Sequence, residues 1–362
     1  MHRSVNQVNT YQRCPRQYRF RYLDQLSSKP SEHLAIGSAF DDAMTQIIEQ
    51  GGISELQPTP SSGCVQAAIQ LMRNNALKML RENQFDEELI RESMNVIFHL
   101  SKLIGPYWSK FLPIEGLTPV STQHKINYMM DGLEAPVIGY IDMIAKSKTD
   151  NQLVIVDFKT TGNSGPSLDY KRQVWTYAKA IQQEFSLDYL PRTQLHMFAK
   201  SPPTLAKKKR EDLGLEDLLI SEYPDELVSS LYDDKAIQSK IGIHKVSYDE
   251  QEWLSFSELF FDLEFSLRFG HWPKNRTHYL CNPKFCSYWE PCHSVDESIC
   301  SLREKQQVLP LEGENLGNPA APILDQDDEI PFTAGTAGAP PVSFQQPVES
   351  IEDFLGTKHN FS

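Results

Sequence analysis

Two short apolar runs between residues 137 and 160 most constrain the fold of this chain. The runs, 137–145 and 153–158, are rich in β-branched residues, and a polar stretch separates them. Apolar β-branched runs that are bounded by turn-forming polar residues are typical of strands. The sequence therefore predicts a β-hairpin here.

Three of the charged residues in this hairpin can come together. Side chains alternate between the faces of a strand, so Asp157 and Lys159 project from the same face, and Asp142 on the first run can join them. Burying such a group unpaired is costly. Either a hard cation, Mg²⁺ or Mn²⁺, lies between the carboxylates, or the residues form an exposed ion pair at the strand end.

The residues around this group form a larger pattern. Gly139 precedes Asp142, and Gln173 and Tyr177 follow at positions i and i+4 of a helix predicted over 169–184, on one helical face. Together G-Y-I-D, V-D-F-K-T and Q-V-W-T-Y resemble the PD-(D/E)XK nucleases of the RecB-like branch. The resemblance implies an α/β, restriction-endonuclease-like core in the order helix, three strands, helix, strand, with helical insertions.

The resemblance also implies roles for individual residues. Lys159 would orient the attacking water, and Gln173 and Tyr177 would position the DNA strand. In the family a histidine of a G-x-x-x-H-E motif is a metal ligand, and here Gly37 is followed by Asp41 and Asp42 instead. Aspartate is a good Mg²⁺ ligand. The expected metal ligands are Asp41, Asp142, Asp157 and the Phe158 carbonyl.

Six cysteines in a chain without a recognisable secretory signal favour a metal site or buried thiols over disulfides. Three of them, Cys281, Cys286 and Cys292, lie within twelve residues and indicate a soft metal centre. His293 could complete a Zn²⁺ site with these three. The N-terminal pattern S-x-x-Q-x-x-x-Y-x-x-C-P-x-x-Y resembles the opening of the cluster-bearing nucleases, which implies that Cys14 is the fourth ligand of a 4Fe-4S cluster.

The formal net charge of −13 is unusual for a protein that binds nucleic acid. Residues 310–362 hold nine acidic residues and one lysine, which leaves −5 for residues 1–309. DNA binding therefore depends on local basic patches. The candidates are Arg16 and the run Lys207, Lys208, Lys209 and Arg210.

Hydrophobic periodicity predicts the remaining elements. Residues 62–112 and 214–269 have helical patterns, and 119–130 and 193–200 have strand patterns. The helix expected near the end of this region carries an aromatic stripe that we predict to be core: Trp253, Phe256, Phe260, Phe261, Phe265 and Phe269.

The chain changes character at residue 310. Residues 310–362 contain seven prolines and five glycines, which is typical of a disordered tail, so residues 1–309 are the expected nuclease domain. Within the tail, 325–332 resembles the acidic Ile-Pro-Phe tip of bacterial single-stranded-DNA-binding proteins, and it is a candidate docking site for a repair or recombination partner. Residues 348–361 are a candidate docking helix.

The resemblance to the RecB-like nucleases implies a cation-dependent DNA exonuclease or flap-type nuclease that acts on DNA with a single-stranded end, in the cytoplasm of a bacterial or phage-infected cell. The N-terminus lacks the apolar segment of a signal peptide, and no run approaches the length of a membrane span. Two other functions stay open: an inactive nuclease-fold scaffold that binds DNA, and a zinc-stabilised interaction module.

Overall fold

A computed structural model of the protein describes residues 2–26, 28, 31–54, 56–162 and 165–293. Its centre is a five-stranded sheet in the order β1-β2-β3-β4-β5. The strands are β1 (Leu117–Tyr128), β2 (Val137–Ser147), β3 (Leu153–Thr161), β4 (Arg192–Ala199) and β5 (Ile241–Val246). The predicted tail and Cys300 lie outside the described residues.

Helices precede, connect and follow the strands. The α-helices are α1 (Val5–Arg13), α2 (Pro15–Tyr18), α3 (Glu32–Gln50), α4 (Ser62–Glu82), α5 (Glu87–Pro106), α6 (Leu112–Glu115), α7 (Leu168–Glu184), α8 (Lys207–Asp212), α9 (Asp225–Leu231), α10 (Asp234–Gln238), α11 (Glu250–Phe269) and α12 (Trp289–His293). Shorter π-helical and 3₁₀ turns are Arg19–Leu23, Tyr107–Phe111 and Ile220–Glu222. Serine side chains cap α1, α3, α4 and α7 at their N-termini, as their sequences favour.

The strand connections confirm the predicted α/β fold class. β1, β2 and β3 pair antiparallel, α7 crosses over to β4, which lies parallel to β3, and β5 pairs antiparallel with β4. A mixed sheet flanked by helices in this order is consistent with a restriction-endonuclease-like fold. The hairpin at 137–161 is confirmed.

Each face of the sheet is covered by an apolar cluster. Ile144 and Ile155 face α7, where they pack with Tyr177 and Ile181. Their neighbours face the other way and pack against α3, α4 and α5 in the larger cluster, which also contains Trp108. Since β2 and β3 are buried on both faces, their sequences are almost continuously apolar.

Two details of the sequence prediction are wrong. Residues 241–246 form the edge strand β5 rather than helix, because Ile241 and Val246 pair with β4 despite an interior that contains Gly242 and Lys245. The aromatic stripe of α11 is only partly core. Trp253, Phe256 and Phe260 are buried, whereas Phe261, Phe265 and Phe269 are 41%, 58% and 63% exposed.

The described residues divide into two compact units. The first joins residues 3–28 to residues 257–293, and the second comprises residues 31–256 with the whole sheet. In the first unit, Tyr18 stacks on Trp272 with ring centroids 5.5 Å apart, and Arg3 pairs with Glu264 at 2.8 Å. Among the described helices, none is long and apolar enough to span a membrane.

Candidate active site

The candidate site lies where two inner strands of the sheet separate. The β2–β3 ladder ends at the pair Met143 and Val156, one residue before Asp142 and Asp157. At this point the Phe158 N–H donates to Asp142 Oδ2 over 2.6 Å. The Asp142 carboxylate thus accepts a hydrogen bond from a backbone N–H of the neighbouring strand. This bond fixes Asp142 between β2 and β3. Because a strand residue directs its N–H and C=O toward the same neighbour, the Phe158 carbonyl also faces this gap.

The backbone of β1 is distorted opposite Asp142. Gln123 adopts φ +48°, in the left-handed region, and Thr122 Oγ1 donates to the Asp142 carbonyl over 2.7 Å. Residue pairing between β1 and β2 skips Gln123 and Asp142 while it continues on both sides. Pairing is thus interrupted at Asp142 without a change of register.

Asp157 and Lys159 lie on one face of β3, as the alternation predicts. Lys159 Nζ lies 2.8 Å from Asp157 Oδ2 and 5.5 Å from the centroid of the Tyr170 ring. Burial raises the pKa of Asp157 to about 7, against the opposing effect of Lys159 and with a further increase from Asp142. Burial alone would lower the pKa of Lys159, but Asp157 and Asp142 raise it above its ordinary value, so the ammonium stays charged.

Asp41 on α3 belongs to the same electrostatic group. Burial raises its pKa well above the ordinary value, Asp142 and Asp157 raise it further, and Lys159 opposes them. Gly37, one turn earlier, lies close to β3, where an added Cβ would be 3.4 Å from Thr160 Oγ1, an ordinary contact distance. The neighbouring Asp42 points elsewhere, where its Oδ2 accepts a hydrogen bond of 2.7 Å from Asn75.

Gln173 and Tyr177 lie together on α7, as predicted. Gln173 Nε2 donates to the Tyr177 hydroxyl over 2.9 Å. The Tyr177 ring lies directly on Gly139 of β2, where an added Cβ would come within 2.8 Å of a ring carbon. Glycine at 139 thus permits the contact that brings this helix face close to the strand of Asp142.

Lys200 is a residue of this region that the sequence analysis missed. It follows β4 directly, and its N–H donates to the Thr161 carbonyl over 2.8 Å. Burial lowers the pKa of Lys200, while Glu32 and Asp41 raise it, so its ammonium lies within electrostatic reach of Asp41. Only its position after a buried strand could have indicated a role.

The donor set of this site fits a hard divalent cation. Three carboxylates interact here with one close lysine, and Asp157 Oδ1 is buried without a hydrogen-bond donor among the described residues. Such an orphaned oxygen calls for a missing partner. In the part of the chain that the structure describes, no three His, Cys, Asp or Glu side chains lie close enough together to hold a metal ion. Cation binding would therefore have to draw the carboxylates closer.

The comparison with known families agrees with this geometry. A family model of the PD-(D/E)XK nuclease superfamily matches residues 2–293. The chain belongs to this superfamily. None of the curated proteins matches the chain. As a PD-(D/E)XK nuclease, the protein has a fold that suggests a DNA substrate, and such nucleases usually use Mg²⁺ or Mn²⁺.

A second candidate site of this PD-(D/E)XK nuclease lies wholly within its first unit. Cys14, Cys281, Cys286 and Cys292 line a single cavity, and His293 also lines it. Burial raises the pKa of the Cys286 and Cys292 thiols, and the nearby Cys14 raises both further. Lys274 and Arg16 oppose this increase at Cys292. The four predicted cysteine ligands thus line one cavity, but among the described residues no three of them lie close enough together to hold a metal ion.

The predicted DNA contacts of the nuclease fall in two places. Lys207, Lys208 and Lys209 lie exposed on the six-residue helix α8, where Lys207 pairs with Glu211 at 3.7 Å. Arg16 lies beside the cysteines instead, and its Nε donates to the Trp272 carbonyl over 2.9 Å. A role of either group in DNA binding stays a prediction.

Proposed function

We propose that this protein is a Mg²⁺- or Mn²⁺-dependent DNA exonuclease of the RecB-like branch. It would act in DNA recombination, repair or replication, in the cytoplasm of a bacterial or phage-infected cell. The observation that carries the proposal is the convergence of Asp142, Asp157 and Lys159 where β2 and β3 separate, with a buried Asp157 oxygen that has no donor among the described residues. The exonuclease assignment rests on the resemblance of the sequence motifs.

Each residue of the site has a proposed task. Asp41, Asp142, Asp157 and the Phe158 carbonyl would hold one or two cations, which polarise the phosphate and lower the pKa of a bound water. Lys159 stays charged beside Asp157 and would orient the attacking water and offset the charge that grows on the phosphate oxygens. Gln173 and Tyr177, already bonded to each other, would position the strand.

The cysteine cavity supports a structural metal group. Cys14, Cys281, Cys286 and Cys292 would hold a 4Fe-4S cluster that joins residue 14 to the segment before residue 293 and stabilises the first unit. His293 in the same cavity keeps Zn²⁺ as the alternative. Absorbance at about 400 nm by the purified protein would indicate iron–sulfur, as expected for such clusters.

A nuclease assay tests the proposal. Linear and circular single-stranded DNA, and linear duplex DNA with a single-stranded end, are incubated with Mg²⁺, with Mn²⁺ or with a chelator. We expect degradation of the linear substrates that requires the cation and spares the circle. Lys159→Ala should lower the rate by about 100-fold or more, because a charge that stabilises the transition state is lost.

The matched control is Lys148→Ala, an exposed lysine in the turn between the same two strands, which should leave the rate unchanged. Cleavage of the circle would replace the exonuclease with an endonuclease. Absence of cleavage under all conditions, together with DNA binding, would favour the scaffold function that the aspartate at position 41 keeps open. If the protein neither cleaves nor binds DNA, the interaction module remains as its function. A partner would then bind the segment 325–332, which lies outside the described residues.

A further inference from the structure

The cavity that contains the four cysteines has a one-sided charge. Its lining includes Arg13, Arg16 and Lys274, and none of the residues that line it is an aspartate or a glutamate. This is notable in a chain with 48 acidic residues and a net charge of −13. Lining of this composition favours an anionic occupant.

Arg16 is held at this cavity by its backbone and its side chain. Its N–H donates to the Pro273 carbonyl over 3.2 Å, and its Nε donates to the Trp272 carbonyl over 2.9 Å. Pro15, which begins α2, fixes the turn between Cys14 and Arg16. The Arg16 guanidinium is therefore hydrogen-bonded to the segment 272–274, and it lines the same cavity as the predicted ligand Cys14.

Lys274 belongs to the segment that Arg16 contacts. Its ammonium donates a hydrogen bond to the backbone carbonyl of Cys292. Asn275 follows, and its Nδ2 donates to the Arg13 carbonyl over 2.9 Å. Two cations are thus fixed by backbone hydrogen bonds, and both lie within electrostatic reach of Cys292.

The charges of the expected occupants match this arrangement. Four thiolates carry four negative charges, and a Zn²⁺ ion or a doubly positive 4Fe-4S core leaves a net charge of −2. Arg16 and Lys274 supply two positive charges of the lining and Arg13 a third, and these offset the negative charge, which matters in a partly buried place where an uncompensated charge is costly.

We propose that Arg16 and Lys274 are positioning residues of the thiolate centre that retain its metal group by offsetting the negative charge of the four cysteines. This inference rests on the metal centre of the proposed function and deepens it. It gives Arg16 a different role from the DNA contact that the sequence predicted. The same charges also raise the reduction potential of an iron–sulfur group, because they favour the more negative, reduced state.

The test uses the full chain, purified without oxygen, with the substitutions Arg16→Gln, Lys274→Gln and both together. Glutamine keeps a hydrogen-bond donor and removes the charge. Metal content is measured first, and then the rate at which bipyridyl removes iron or 4-(2-pyridylazo)resorcinol removes zinc. We expect each single variant to lose metal several-fold faster than the wild type, and the double variant at least tenfold faster.

The controls separate charge from shape. Arg16→Lys should restore retention, and Lys284→Gln, which lies in the same cysteine segment with its ammonium over the Phe285 ring, should lose metal at the wild-type rate. For an iron–sulfur group, the double variant should also have a more negative midpoint potential than the wild type.

Other outcomes overturn the inference. Wild-type rates of metal loss in all the variants would show that the two cations do not retain the group. If Arg16→Gln binds DNA more weakly but loses metal at the wild-type rate, Arg16 contacts DNA and does not retain the metal group. A wild-type protein that contains neither iron nor zinc would instead overturn the metal centre itself, and with it this role.

Discussion

Asp157 is a buried carboxyl group, and its burial determines how the stability of the protein depends on pH. Its side chain is 1% exposed, and its pKa of about 7 exceeds the value of about 3.9 expected in an unfolded chain. A carboxyl group whose pKa is higher in the folded chain than in the unfolded chain stabilises the fold at pH values below its unfolded-chain pKa. This contribution is lost as the pH rises through about 7. Without a cation, ionisation of Asp157 therefore opposes folding at neutral pH.

Cation binding should accordingly become stronger as the pH rises. We expect Mg²⁺ to raise the thermal midpoint of the protein more at pH 8 than at pH 6, because at pH 6 the ion must displace a proton from Asp157. Thermal unfolding with and without Mg²⁺ at each pH measures this. Asp157→Asn should remove most of the Mg²⁺ effect, and an equal Mg²⁺ effect at both pH values would contradict the assignment.

At the residue scale, some of the site follows from the sequence and some does not. The period of two along a strand is enough to place Asp157 and Lys159 on one face. The hydrogen bond from Phe158 to Asp142 depends on where the β2–β3 ladder ends, and no local pattern encodes that position. Lys200 was missed for a similar reason, since only the packing of α3 on the sheet brings Asp41 near it.

At the element scale, prediction succeeded where burial on both faces produces long apolar runs. β2 and β3 are of this kind, and their bounds differ from the prediction by only a few residues. β5 was missed because an edge strand is half exposed, and its six residues include a glycine and a lysine. Helix α11 was predicted, but its apolar residues cover most of its circumference, so their spacing could not identify the buried face.

The two faces of α11 give a direct test. We expect Phe260→Ala to lower the free energy of unfolding by about 3–5 kcal/mol, because Phe260 is fully buried and the change leaves a cavity. Phe265→Ala removes the same atoms from an exposed position and should cost within about 1 kcal/mol. Urea unfolding followed by circular dichroism measures both, and equal costs would show that the face around Phe265 is buried.

At the scale of the whole molecule, the two units differ in the interactions that stabilise them. The second unit contains both clusters that cover the sheet, whereas the described part of the first consists of two short segments, 3–28 and 257–293, in which Tyr11 and Tyr18 pack against Trp272. Small cores usually need a disulfide or a metal group for stability. The proposed metal centre would supply this support to the first unit.

Loss of the metal should therefore affect one unit. We expect Cys14→Ser to increase hydrogen exchange in peptides from residues 3–26 and 257–293 and to leave the strands of the sheet protected. Mass spectrometry of deuterated peptides measures this. Cys64→Ser, on α4 in the second unit, is the matched control and should leave the first unit unchanged. A uniform increase across the chain after Cys14→Ser would contradict a local role.

The pairing of residues 3–28 with residues 257–293 also sets an order of events at the ribosome. The N-terminal segment is made first, but Tyr18 has no Trp272 to stack on until 254 further residues have been added. At typical rates of synthesis this delay is on the order of 10 to 50 seconds. The sheet, with its candidate catalytic residues, can fold during this interval. The earliest segment of the chain to be made is thus among the last to reach its final partners.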